Sequence, residues 1–161
     1  MPNIKCTRII FAPQADLFAI AQDYGVRLEW DSFSREMVFL DGARQAAPGV
    51  RAWGRSRNGL AMEVEYITVN PPTVAAMRMI RGPRFFSQFS GSWKFKALGP
   101  DETLATFNYH FTTPWKHLRP IVDLALSYLL SREMDRRLHD LRRAAEKTDI
   151  LRRVTAFRDP A

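Results

Sequence analysis

Apolar residues recur four apart at Leu118, Val122, Leu126, Leu130, Met134 and Leu138, and Leu141 and Ala145 continue the line. This spacing predicts one long helix over 114–147, with Thr113 as N-cap, Pro114 in the first turn and no glycine inside. About 30 residues at 1.5 Å each give a rod of roughly 45 Å, which needs a broad surface to pack on. Four residues overshoot one turn, so the line slants across the helix. The first half also carries Ile121, Leu124, Ala125, Tyr128 and Leu129 away from the line, whereas Arg136, Arg137, His139, Asp140, Arg142 and Arg143 confine the second half to a narrow stripe. The first half therefore holds more apolar surface than one sheet contact needs. That excess can line a cavity, meet a second copy, rest on a membrane, or be covered by loops. Pro120 is placed to bend the first turns.

Upstream the period changes from helical to two. Lys5–Ala12 reads as a β-strand, stopped by Pro13, which starts a helix through Ala15–Ala21. Gly25 ends that helix or breaks it before a second short one carrying Trp30. A meander follows. Glu36–Asp41 and Val50–Arg57 read as strands, the latter with small residues on one face and Arg51, Trp53, Arg55 and Arg57 on the other. Asn58-Gly59 predicts a type I′ hairpin turn. Met62, Val64 and Tyr66 alternate with Ala61, Glu63 and Glu65, and Met77 and Met79 share a face opposite Arg78. Phe85, Phe89, Trp93 and Phe95 line one face of a long strand in which Gly91 marks a bulge or bend. Phe107, Tyr109 and Phe111 alternate with polar residues in the last strand. The order is strand, one or two short helices, about six antiparallel strands and a long helix, an α+β fold in which the helix covers the apolar face of the sheet.

Composition narrows the chemistry. The 161 residues read as a single domain over 1–147 followed by a basic tail at 148–161, where Ile150, Leu151, Val154 and Phe157 are spaced as a short amphipathic turn. The net charge of +7 favours acidic partners, although the arginines are spread along the chain as on a solvated surface. A single cysteine, Cys6, excludes an intrachain disulfide and a cysteine-built metal site, and fits a reducing, cytoplasmic compartment. The opening residues lack the apolar core of a signal peptide, and no apolar run spans a bilayer.

Four stretches carry a family resemblance: IIFAPQADLFAIAQDYGVRLEWD, PGVRAWGRSRNGLAMEVEY, GPRFFSQFSGSWKF and TFNYHFTTPWKHLRPIVD. They resemble the helix-grip family of START-like proteins, which includes polyketide cyclases, coenzyme-Q-binding proteins, pollen allergens and lipid-transfer domains. Their nearest likeness is to the bacterial polyketide cyclase/dehydrase and lipid-transport branch. The resemblance implies about seven curved antiparallel strands wrapped around the last helix, with an apolar tunnel between them. Carried onto this chain, it implies pocket-lining roles for Tyr66, Met77, Met79, Phe89, Trp93, Phe107, Tyr109, Ile121, Leu124 and Tyr128, with Trp30 over the opening. Long Met beside Tyr and Trp suits an adaptable cavity, although each of these side chains also suits a plain core.

No HExxH, GxSxG, P-loop or GxGxxG pattern is present, so metalloprotease, hydrolase and nucleotide readings have no motif, and neither metal nor cofactor is expected. His110 and His139 read as surface residues, and His117 sits where a cavity mouth would be. The sequence thus points to binding or carrying a lipid, isoprenoid quinone or polyketide-like molecule. One alternative, implied by the resemblance, is a cyclase that acts by pocket shape and polarises a carbonyl through Tyr66, Tyr109 or an arginine; Arg51 would serve if inward, but it shares a face with Arg55 and Arg57 and reads as outside. Another is an interaction module that forms a homodimer or touches anionic membrane; nucleic acid has no stacking motif to bind.

Overall fold

The computed structural model describes the backbone of residues 2–158 and the side chains through Val154. Seven strands and four helices follow one another as β1 (Asn3–Ile10), α1 (Gln14–Gln22), α2 (Tyr24–Trp30), β2 (Ser34–Phe39), β3 (Arg51–Ser56), β4 (Ala61–Asn70), β5 (Val74–Arg81), β6 (Gln88–Gly99), β7 (Glu102–Thr112), α3 (Arg119–Lys147) and α4 (Ile150–Arg158). The sheet runs β1-β7-β6-β5-β4-β3-β2, antiparallel at every pairing. β2 to β7 form the expected meander, and β1 returns to pair with β7. The pair α1–α2 joins the two edges of the curled sheet, and α3 lies against β1 and β7. This is the helix-grip arrangement the sequence implied.

Period two holds through the sheet. On β6 and β7, Trp93, Phe95, Ala105, Phe107, Tyr109 and Phe111 are buried, while Lys94, Lys96 and His110 face out. Four details differ from the sequence reading. The strand holding Phe85 begins only at Gln88, so Phe85 lies in the preceding loop. No bulge occurs at Gly91, where the β6–β7 register runs unbroken through its pairing with Tyr109. The glycine instead makes room, because a Cβ there would stand 3.0 Å from the Tyr109 ring. At Asn58-Gly59 only Gly59 has positive φ, at 91°. The Gly59 N–H bonds to the Ser56 carbonyl at 3.0 Å, so the link is a type I turn closed by a left-handed glycine rather than type I′. The helix break after α1 falls at Asp23, whose carboxylate caps α2 through the Val26 N–H at 3.2 Å, leaving Gly25 inside α2.

The long helix starts five residues later than the sequence reading placed it. Its N-cap is Leu118, and Pro120 occupies the first turn, where a missing N–H costs no hydrogen bond. Thr113 cannot cap, because its hydroxyl donates to Asp123 at 2.9 Å and its carbonyl accepts from the Arg119 guanidinium at 3.2 Å. The buried residues of α3, from Met134 to Ala145, all lie in its second half. Beyond it, part of the expected basic tail forms α4, with Ile150 and Val154 buried in the common core against α1. The Phe157 side chain and residues 159–161 lie outside the described part.

Candidate functional site

The face of β3 that enters the interior carries Ala52, Gly54 and Ser56, too small to reach the helix. Opposite them, the first half of α3 turns Leu126 and Leu130 toward this space, with the more exposed Leu129 also touching it. Small residues on one wall and a helix clamped by its other half leave a cavity of about 520 Å³. Met37, Met62, Met77 and Val64 line its sheet side, and Pro83, Phe85, Phe86 and Phe89 line another part of the wall. The wall on β6 and β7 is aromatic. Trp93 stacks on Phe107 at 4.0 Å, Phe107 meets Tyr109 edge-on at 4.7 Å, and Phe89 lies 4.8 Å from Tyr109.

A buried polar cluster sits at this wall. Asp31, at the end of α2, is 1% exposed. Its Oδ2 accepts from Arg27 Nε at 3.0 Å and from Arg137 Nε and Nη2 at 3.2 and 3.0 Å, while its Oδ1 accepts from the Phe33 N–H at 3.1 Å. Arg137 Nη1 donates to the Tyr109 hydroxyl at 2.7 Å. Burial by itself would raise the Asp31 carboxyl, but Arg137 and Arg27 beside it prevail and hold it at about 2. Burial keeps the Tyr109 phenol above its ordinary range, against the pull of Arg137. Arg27, Arg137 and Tyr109 all line the cavity. The guanidinium carbon of Arg27 stands 5.6 Å from the Trp93 ring centre, and that of Arg137 stands 4.9 Å from the Phe107 ring centre.

Of the side chains that the family likeness placed around a pocket, Met77, Phe89, Trp93, Phe107 and Tyr109 come together on its wall. The others lie elsewhere. Tyr66 is buried behind the wall, its hydroxyl 2.7 Å from that of Tyr24. Trp30 gives its indole N–H to the Ile20 carbonyl at 2.9 Å and packs edge-on against Trp93, one layer back rather than over the opening. Met79 packs beside Gly82, outside the lining. Ile121, Leu124 and Tyr128 are 71%, 74% and 62% exposed, on the outer side of α3. From Leu126 onward the slanting line turns toward the sheet, so Ile121, Leu124 and Tyr128, off that line, face solvent. Arg51 is on the outer face, paired with Asp41 and Glu63 at 2.9 Å each. His110, His117 and His139 are exposed.

Sequence reasoning missed Arg27, Asp31 and Arg137. The signal was present: Arg137 falls three residues after Met134 and four before Leu141, on the buried stripe, and Arg27 and Asp31 are one turn apart. Among the described residues, no three His, Cys, Asp or Glu side chains gather as a metal set. No described helix is long and apolar enough to cross a membrane.

Known structures share this architecture, although no curated relative matches the sequence. The structure is similar to that of a START superfamily protein from Mycobacterium smegmatis, at 12% identity and a TM-score of 0.74 over 90% of this chain and 97% of that one. It is similar to the Zhui aromatase/cyclase from Streptomyces sp. R1128, at 13% identity and a TM-score of 0.71 over 99% and 96% of the two chains. A protein from Thermus thermophilus superposes with a TM-score of 0.72 at 16% identity, over 98% of this chain and all of that one. At such identities the likeness speaks for the fold. Residues 1–146 match the family described as polyketide cyclase/dehydrase and lipid transport, and the chain belongs to that family.

Proposed function

We propose that this protein binds and carries an apolar small molecule in the space between its sheet and the first half of α3. The observation that carries the reading is the cavity of about 520 Å³, within the size range of small-molecule sites and walled by Met, Leu and aromatic side chains. Unbranched Met37, Met62 and Met77 can re-pack around guests of different shape. The test is titration with the neutral fluorophore N-phenyl-1-naphthylamine, together with native mass spectrometry of the purified protein. The expected result is one saturable site, abolished by Leu130→Trp, which fills the cavity from the helix side. A protein that neither takes up the dye nor retains any organic molecule would overturn the reading.

A second reading, a cyclase acting on a polyketide-like substrate, is favoured by one feature: the Arg137–Tyr109 pair at 2.7 Å on the cavity wall. A guanidinium there would stabilise the oxyanion of an enolate as it forms, and the phenol would hold the guanidinium in place. Tyr109→Phe with unchanged turnover of a poly-β-ketone analogue would remove the phenol from that role.

A further inference from the structure

We infer that the cavity is built for an apolar acid: a molecule with a hydrocarbon or polycyclic body and one oxyanion, carboxylate or enolate, received by Arg27 and Arg137. This rests on the reading of the cavity as a binding site and names the chemistry of its guest.

Charge carries the argument. Two guanidinium groups, on residues 3% and 5% exposed, share one carboxylate, that of Asp31. The cluster keeps a positive charge in a place largely shut off from water, where an ion without a counter-charge is strongly disfavoured. Glu133 is the one acid among the lining residues, and it is partly exposed and engaged by Arg136 at 3.2 Å.

Hydrogen bonding points the same way. Three buried side-chain atoms lack a partner among the described residues: Gln22 Nε2, Arg55 Nε and Trp93 Nε1. All three are donors, and Trp93 is on the aromatic wall of the cavity. Arg27 spends Nε on Asp31 and Nη1 on the Ala21 carbonyl. A site rich in unspent donors, carrying surplus positive charge and framed by aromatic rings, is complementary to an acceptor that is itself anionic.

Displacement of bound N-phenyl-1-naphthylamine at pH 7.5 tests this, with decanoate compared against decan-1-ol. The acid should displace the dye at a concentration at least tenfold lower than the alcohol. Arg27→Met should bring the two within twofold, and Arg27→Lys should restore part of the gap. A parallel pair, a hydroxyanthraquinone and its methyl ether, separates the sources of the oxyanion. Preference for either acid over its neutral partner supports the inference and tells which kind is held. A variant-free measurement runs alongside: bound decanoate labelled with carbon-13 at the carboxyl should titrate at least one pH unit below the free acid. Equal displacement by acid and alcohol, with the dye still bound, overturns this inference and leaves the binding reading intact. Failure of the dye to bind at all overturns both.

Discussion

Asp31 holds two arginines from different helices together, and its consequences can be measured at the level of one atom pair. Replacing it with Asn leaves both guanidinium groups buried without an anion, which costs about 3–5 kcal/mol. Urea unfolding of Asp31→Asn at pH 7 should show a loss of that size. The carboxyl titrates at about 2 in the folded chain against an ordinary 3.8. Its contribution is therefore complete above the unfolded value and disappears as pH falls toward the folded one. The gap between wild type and Asp31→Asn should narrow by roughly 2 kcal/mol as the pH drops from about 4 to about 2. A second single-residue outcome concerns Gly91. The Cβ of Gly91→Ala would press on Tyr109 at 3.0 Å, so a loss of roughly 1–3 kcal/mol is expected from overpacking, read from the denaturation midpoint. Residues such as Phe89, Trp93 and Tyr109 were legible in the sequence, since a strand alternates faces and the apolar side must go in. The arginines were not. A charged side chain on a helix reads as solvated unless its partner is known, and Asp31 lies 106 residues from Arg137 in sequence.

Among the elements, α3 separates what pattern can and cannot say. The slanting line of apolar residues identified a long rod with a continuous packing stripe, and the rod exists. Which side of it faces inward depends on how far the helix has rolled over the sheet, a tertiary quantity that spacing alone does not fix. The aliphatic and tyrosine side chains beside the line consequently came out on the wet side. Their exposure makes a prediction: Ile121→Lys and Leu124→Lys, together, should move stability by no more than about 0.5 kcal/mol each. Leu138→Ala, on the same helix but fully buried, should cost about 2–5 kcal/mol. Thermal melts of the two variants side by side check this. Strand order was legible because each turn joins neighbours in a meander. The late start of α3 was not, since the hydroxyl of Thr113 could not be known to be committed to Asp123.

For the whole molecule, stability and occupancy are linked. A guest at a hundred times its dissociation constant adds about 2.7 kcal/mol to the folded state. For a chain of 161 residues that corresponds to a rise of roughly 5–10 °C in Tm. Scanning fluorimetry with N-phenyl-1-naphthylamine or decanoate should show it, and Leu130→Trp should lose it. The architecture adds a mechanical consequence. Met134, Leu138 and Leu141 anchor the far end of α3 in the core, while the near end has no fully buried side chain and is held by Asp123 and Arg119 on Thr113, at the exit of β7, and by the half-buried Leu126 and Leu130. A beam fixed at one end swings most at the other. Amide exchange should accordingly be quicker along 121–131 than along 134–145, with a guest slowing the first segment and leaving the second as it was.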